Sequence, residues 1–449
     1  MKQHDFTQGG LWRQLVVFSL PIMATNLLQV SYQFVDSLWV GNLIGASALG
    51  AVAVSSVVIF TILSFIIGLN NAALTILSQQ KGKKDESGLA RYLNAFVVLM
   101  TLLSAALGLL GYVSADSLLR LLGTPADMLH DARVYLQINC LGILFLFGYN
   151  FIGTVMRSLG DSRTPLHFVM AAVVLNAMLD PLFIAGFGWG VQGAAAATIV
   201  SQGLAFLYGL FVVLSKRLAP FTWPRLPARE EIALILRLGI PAGLQMAVIS
   251  AGAAAIMSVV TSFGEQVVAG FSAAQRLDSV IMLPAQALGT AVNSMAGQNI
   301  GIRRWERVSR IARYGVLYNL FLMLAIAVVI FFAAEWAVSL FIQEPDAVRF
   351  GTDYLRIICW FYPFLGINFI LNGIVRASGA MYPVLALNLT SFWILRFPLT
   401  YLCAALWGSH GIAIGMGISL VVSSLIASAY YRYGGWKRKK LFREEADTA

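Results

Sequence analysis

Twelve long apolar runs divide this chain, and they restrict it to one kind of fold. They lie at 12–40, 47–77, 91–113, 132–156, 165–187, 191–215, 232–261, 266–296, 311–334, 352–375, 383–406 and 411–433. About 20 apolar residues in a helix cross the ~30 Å of bilayer hydrocarbon, so each run is long enough to span. Lipid offers no partner to exposed backbone groups, and continuous runs of this length must satisfy them internally as helices. An outer-membrane barrel is excluded, because the runs do not alternate and are about twice as long as a spanning strand. The expected fold is an all-α polytopic membrane protein with twelve transmembrane helices.

Composition excludes the alternatives. Charged residues make up only 12% of the chain and hydrophobic ones 59%. A soluble globular domain carries roughly 25% charge, and a disordered chain cannot be this apolar. Cys140, Cys359 and Cys403 all sit inside apolar runs, which does not fit a disulfide scaffold.

The net charge of +10 reads as membrane topology, not as a nucleic-acid surface. With the amino terminus cytoplasmic, 25 of the 31 Lys and Arg fall on the cytoplasmic side. Only Arg120, Arg133, Arg349 and Arg356 lie in the opposite loops, and Arg276 and Arg396 lie within spans. This asymmetry places both termini on the cytoplasmic side, in what is expected to be a bacterial cytoplasmic membrane, and requires an even number of spans. The first apolar run follows a polar stretch and is too long for a signal-peptide core, so it reads as a retained span. Lys437–Lys440 reads as a basic anchor on anionic lipid.

The chain is written twice, at an offset of about 218–220 residues. Pro21 answers Pro241, Gln79-Gln80-Lys81-Gly82 answers Gln298-Asn299-Ile300-Gly301, and Arg91 answers Arg310. Pro125 answers Pro345, Tyr135-Leu136 answers Tyr354-Leu355, and Cys140 answers Cys359. Arg157-Ser158-Leu159-Gly160 answers Arg376-Ala377-Ser378-Gly379, Pro181 answers Pro398, and Trp189-Gly190 answers Trp407-Gly408. Six spans in each half make a six-helix lobe at 1–215, a polar linker at 216–231 and a second lobe at 232–449. An even number of spans per half inserts both halves in the same sense, related by a pseudo-twofold axis along the membrane normal. Lobes so related enclose a central cavity and alternate its access by rocking, which points to transport.

These features together resemble the multidrug and toxic compound extrusion (MATE) family. The resemblance rests on the early prolines of spans 1 and 7 and the Gln-x-x-Gly after spans 2 and 8. It also rests on the Arg157–Pro165 stretch with its partner Arg376–Pro383. It covers nearly the whole chain and implies a cation-coupled exporter of organic, often cationic, compounds. Asp36 and the Asn176/Asp180 pair resemble the bacterial branch related to the DNA-damage-inducible F protein.

A charge at mid-membrane costs at least ~2.5–3.5 kcal/mol, so each one needs a reason. Five ionisable residues lie within the spans: Asp36, Asp180, Arg276, Asp278 and Arg396. Asp36 and Asp180 both fall in the outer halves of spans running outward. Asn176 is one turn deeper than Asp180 on the same face. Thr198 lies about 10 Å below the outer end of span 6 by helical rise. Spacing therefore allows Asp36, Asn176, Asp180 and Thr198 to share one depth in the first lobe. Two carboxylates, an amide oxygen and a hydroxyl suit a small alkali cation such as sodium. Alternatively, two desolvated carboxylates repel, so that one takes up a proton. Pro21 and Pro181 make bending cheap nearby. The resemblance implies that this cluster is the coupling-cation site. A buried structural network is the competing reading.

The second lobe lacks matching acids: Asp36 aligns with Ile256, and Asp180 with Phe397 or Pro398. Arg276 and Asp278 are two apart on one helix and cannot face each other. Arg396 is a candidate counter-charge to Asp278. For the substrate, Met23, Tyr32, Phe34, Tyr149, Met156, Met178, Phe271 and Met282 are candidates to line a cleft for flat organic cations.

His4, His130, His167 and His410 are too scattered for a metal cluster, and no phosphate-binding Gly-x-x-x-x-Gly-Lys motif is present. Asp180 lacks the Gly-x-Gly-Asp setting of an intramembrane protease. The expected protein is therefore not an enzyme and needs no cofactor beyond a coupling proton or sodium ion. It is expected to be a monomer in the bilayer that carries a small organic substrate and binds no nucleic acid. The alternatives are a flippase of lipid or lipid-linked precursors, which requires a strongly cationic cavity, and a channel, which requires a filter-like loop.

Overall fold

The computed structural model describes residues 3–442; Lys2 and Arg443, both counted above as cytoplasmic, and the outermost ends of the two expected lobes lie outside the described residues. Among the described residues every regular element is helical. In the first half these are Leu11–Leu43 (α1), Ala46–Lys83 (α2), Glu86–Leu121 (α3), Ala126–Leu141 (α4), Ile143–Ser158 (α5), Arg163–Pro181 (α6) and Gly190–Ser215 (α7). In the second they are Arg229–Thr261 (α8), Glu265–Ile281 (α9), Leu283–Gly301 (α10), Trp305–Ser339 (α11), Pro345–Ile358 (α12), Tyr362–Ala377 (α13), Met381–Leu389 (α14), Phe397–Trp407 (α15) and His410–Tyr433 (α16). Short π-helical segments, Leu182–Gly186 and Thr390–Arg396, follow α6 and join α14 to α15.

These helices account for all twelve apolar runs. Ten spans, some combining neighbouring elements, are long and apolar enough to cross a bilayer. The run at 132–156 becomes α4 and α5, bent by 51°. The run at 266–296 is not one helix but two, α9 and α10, meeting at Met282. Pro284 lies in the first turn of α10, where its missing N–H costs nothing, so the chain breaks there cheaply.

The chain forms two compact units. The first holds Leu20–Gly243 with the described residues before Phe6, and the second holds Phe6–Ser19 with the described residues from Leu244 on. Helix α1 thus divides next to Pro21, and α8 divides two residues past Pro241. Proline withholds a backbone donor inside each helix at these places.

The duplication is visible in packing. In the first unit α4 packs on α2, α5 on α2, α7 on α5 and α7 on α6. In the second unit α12 packs on α9, α13 on α10, α16 on α13 and α16 on α15, the same neighbours in repeat order. Small residues allow the closest approaches. A Cβ on Gly68 of α2 would stand 2.5 Å from the Gly243 nitrogen and 2.6 Å from the Gly239 oxygen of α8. Gly239 and Gly243 are the two glycines of a Gly-x-x-x-Gly step, the spacing that lets membrane helices meet backbone to backbone.

The Arg157–Pro165 stretch turns the chain from α5 into α6. Gly160 takes a left-handed φ of +87°, and a Cβ there would collide with the His4 carbonyl. Asp161 Oδ1 accepts from the backbone N–H of Arg163 and Thr164, each at 3.0 Å, and so satisfies donors at the start of α6.

Candidate functional site

The four polar residues expected at one depth all lie in the first unit, on α1, α6 and α7. Asp36 and Thr198 are each 8% exposed, and Asn176 and Asp180 are fully buried. The i,i+4 spacing on α6 brings Asn176 Nδ2 to donate to Asp180 Oδ1 at 3.1 Å. Asp180 and Asp36 lie close enough to interact electrostatically. Pro181 follows Asp180 directly and has no N–H to give, and the π-helical turn Leu182–Gly186 comes next. Such turns occur often at functional sites.

These residues also share unpaired oxygens. Asp36 Oδ1, Asn176 Oδ1, Asp180 Oδ2 and Thr198 Oγ1 are all buried, and none takes a hydrogen bond of good geometry among the described residues, though the Tyr32 hydroxyl lies near enough to Thr198 to interact with it. Buried polar atoms are nearly always paired. Such atoms also occur elsewhere among the described residues, as at Asn293, Asn319 and Asn372, but here four of them belong to the residues expected at one depth. The Ser201 hydroxyl donates to the Thr198 carbonyl at 2.9 Å, and the Tyr32 hydroxyl lies 3.5 Å from Ser201 Oγ. Tyr135 on α4 is buried within electrostatic range of Asp36, Tyr32 and Asp180. Sequence reasoning missed Tyr135 and Ser201 here, although Tyr135 stood in plain view as a repeat-matched residue.

The second unit holds a different polar group. Asp278 on α9 is buried and accepts hydrogen bonds from the hydroxyls of Tyr354, at 3.1 Å, and Tyr362. Arg396 closes the π-helical segment before α15 and is 7% exposed. It lies within electrostatic range of Asp278, but the carboxylate takes its hydrogen bonds from the two tyrosines. Arg276 faces outward instead, 5.9 Å from the Phe341 ring centroid.

The expected cleft residues differ in burial. Tyr149, Met156 and Phe271 are buried in helix packing, with Phe271 edge-on to Tyr354 at 5.2 Å. Met23, Tyr32 and Met282 are half-buried, while Phe34 and Met178 are exposed.

Comparison with known proteins places the chain. The MatE family pattern matches it twice, over residues 21–182 and 241–402, each match beginning on the early proline of its half. The chain belongs to the MatE family. It is therefore a membrane transporter and not an enzyme. It is 62% identical over 445 residues to the probable multidrug resistance protein YpnP of Bacillus subtilis, covering 99% of this chain and 100% of that protein. It is 29% identical over 449 residues to the probable multidrug resistance protein YoeA of the same organism, covering 97% and 96%. Its fold matches a crystal structure of MATE in complex with MaL6 with a TM-score of 0.92 at 24% identity, over 98% of this chain and 100% of that one.

Proposed function

We propose that this MatE-family chain is an antiporter that exports organic compounds, many of them cationic, by coupling to an inward-moving proton or sodium ion at Asp36, Asn176, Asp180 and Thr198. The four unpaired buried oxygens carry this reading. An acceptor buried without a donor costs about 1–3 kcal/mol, and more when charged. A bound cation offsets that cost for all four at once. Sodium would take them as hard oxygen ligands. A proton would relieve the repulsion between Asp36 and Asp180 and give one of them a donor. In either case the charge of the pair changes next to Pro181, where the helix bends cheaply. Occupancy then biases the packing of the first unit, and alternating access follows in the manner of parallel-repeat transporters.

The multidrug resistance names of YpnP and YoeA support organic efflux as the task. The lysine and arginine asymmetry supports cytoplasmic termini. The flippase reading has no comparable support, since its pyrophosphate cargo calls for several cavity cations and the second unit buries one arginine of this kind in a span, Arg396.

The test is efflux of a fluorescent organic cation from proteoliposomes under an imposed proton or sodium gradient. We expect one gradient to drive export and Asp36→Asn to abolish it. Export driven by neither gradient, or untouched by Asp36→Asn, would overturn the reading.

A further inference from the structure

Arg396 is an intramembrane cation with unused donors. Counting along Met381–Trp407, it lies about 22 Å from the first residue and about 16 Å from the last by helical rise, too deep for a lipid headgroup. Its Nε donates to Ser419 Oγ at 3.3 Å, and its guanidinium lies 4.1 Å from the Phe392 ring centroid. No carboxylate lies within 4.0 Å of it among the described residues, and its other four N–H groups meet no acceptor there. Both oxygens of Asp278 already take tyrosine hydroxyls.

The segment that carries Arg396 packs against α8. The Phe392 side chain lies so close to α8 that a Cβ on Gly252 would stand 2.9 Å from it. The Trp393 indole donates to the Val248 carbonyl at 3.3 Å. Arg396 itself ends a π-helical segment two residues before Pro398. In the first unit Asp180 also stands next to a proline, Pro181, but there the π-helical turn follows the proline. Ser201 and Ser419 also correspond by sequence offset, and each touches its unit's polar group. Each repeat therefore buries a charge beside the proline of this span, acidic in the first unit and basic in the second.

We propose that Arg396, stacked on Phe392 and held by Ser419, recognises the carboxylate of a transported aromatic zwitterion. A guanidinium fork matches a carboxylate in two parallel hydrogen bonds, and the adjoining ring suits an aromatic body. A carboxylate on the cargo would give this costly mid-span cation the direct ion pair that it lacks. This inference deepens the export reading above and rests on it.

The test compares two probes that differ in one charge: a rhodamine ethyl ester, which is a monocation, and its free acid, which is a zwitterion. Binding to the purified full-length protein is read by fluorescence polarisation. We expect the wild type to bind both. Arg396→Gln should weaken the free acid about tenfold or more, the loss expected for a charge-assisted hydrogen bond, and leave the ester unchanged. Arg396→Lys keeps the charge without the fork and should fall between. If Arg396→Gln does not fold, Ser419→Ala carries the same comparison. Equal loss of both probes, or no loss of the free acid, overturns the proposal. Wild type that binds the ester alone overturns this inference only, whereas wild type that binds neither speaks against the export reading itself.

Discussion

Asn176 and Asp180 stand one turn apart on α6, and the Asn176 amide donates to Asp180 Oδ1 at 3.1 Å. That single bond fixes the polarity of the site. It turns the Asn176 carbonyl oxygen away from Asp180 and leaves Asp180 Oδ2 without a donor. The bond leaves two acceptor oxygens unpaired on one helix, where the proposed cation would bind.

Asn176→Ala should therefore weaken coupling without removing either carboxylate. Loss of a hydrogen bond to a charged group is worth ~1.5–3 kcal/mol, so the apparent cation affinity should drop about tenfold or more. The check is the ion concentration giving half-maximal efflux in proteoliposomes. An unchanged value would remove Asn176 from the site.

Thr198→Val separates the two coupling ions. The substitution keeps the shape and deletes the hydroxyl oxygen. A hydroxyl can ligate sodium, but it does not take up the transported proton near neutral pH. Sodium-driven efflux should fall, while a proton gradient should drive the variant as well as it drives the wild type. Thr198→Ser, which retains the oxygen, should restore sodium-driven efflux.

Gly68→Ala should destabilise the first unit by ~1–3 kcal/mol, because the new methyl would press on backbone atoms of α8 that cannot yield. Thermal unfolding of the purified protein measures this. Gly10→Ala is the control, since nothing lies within 4 Å of its Cβ position.

Asp85 caps α3 by accepting from the Gly88 N–H at 2.8 Å and the Ser87 hydroxyl at 3.0 Å. The Gly88 bond holds its carboxyl below its ordinary value of 3.8. A depressed folded-state value means the cap's contribution is complete above pH 3.8 and is lost as pH falls through the lower folded value. Asp85→Ala should cost about 1 kcal/mol near pH 7. The gap between variant and wild type should close as melting is followed into stronger acid.

The sequence by itself determined the class of fold, the number of apolar runs, the duplication and the identity of the charges that had to be explained. Hydropathy accumulates along the chain, and bilayer thickness sets the length of a span, so these properties are local and additive. Spacing on α6 also settled that Asn176 and Asp180 share a face. It did not reveal that α9 and α10 are separate helices, because Pro284 could equally have kinked a continuous span.

Only the tertiary structure decided which polar atoms found partners. Asp278 meets Tyr354 and Tyr362, 76 and 84 residues away in sequence. Arg396 meets Ser419 across 23 residues and retains unused donors. The unpaired oxygens on α1, α6 and α7 belong to three helices whose lateral order no hydropathy pattern encodes. Hydrogen-bond satisfaction depends on distances of about 3 Å between side chains of different helices, and that geometry exists only once the helices have packed.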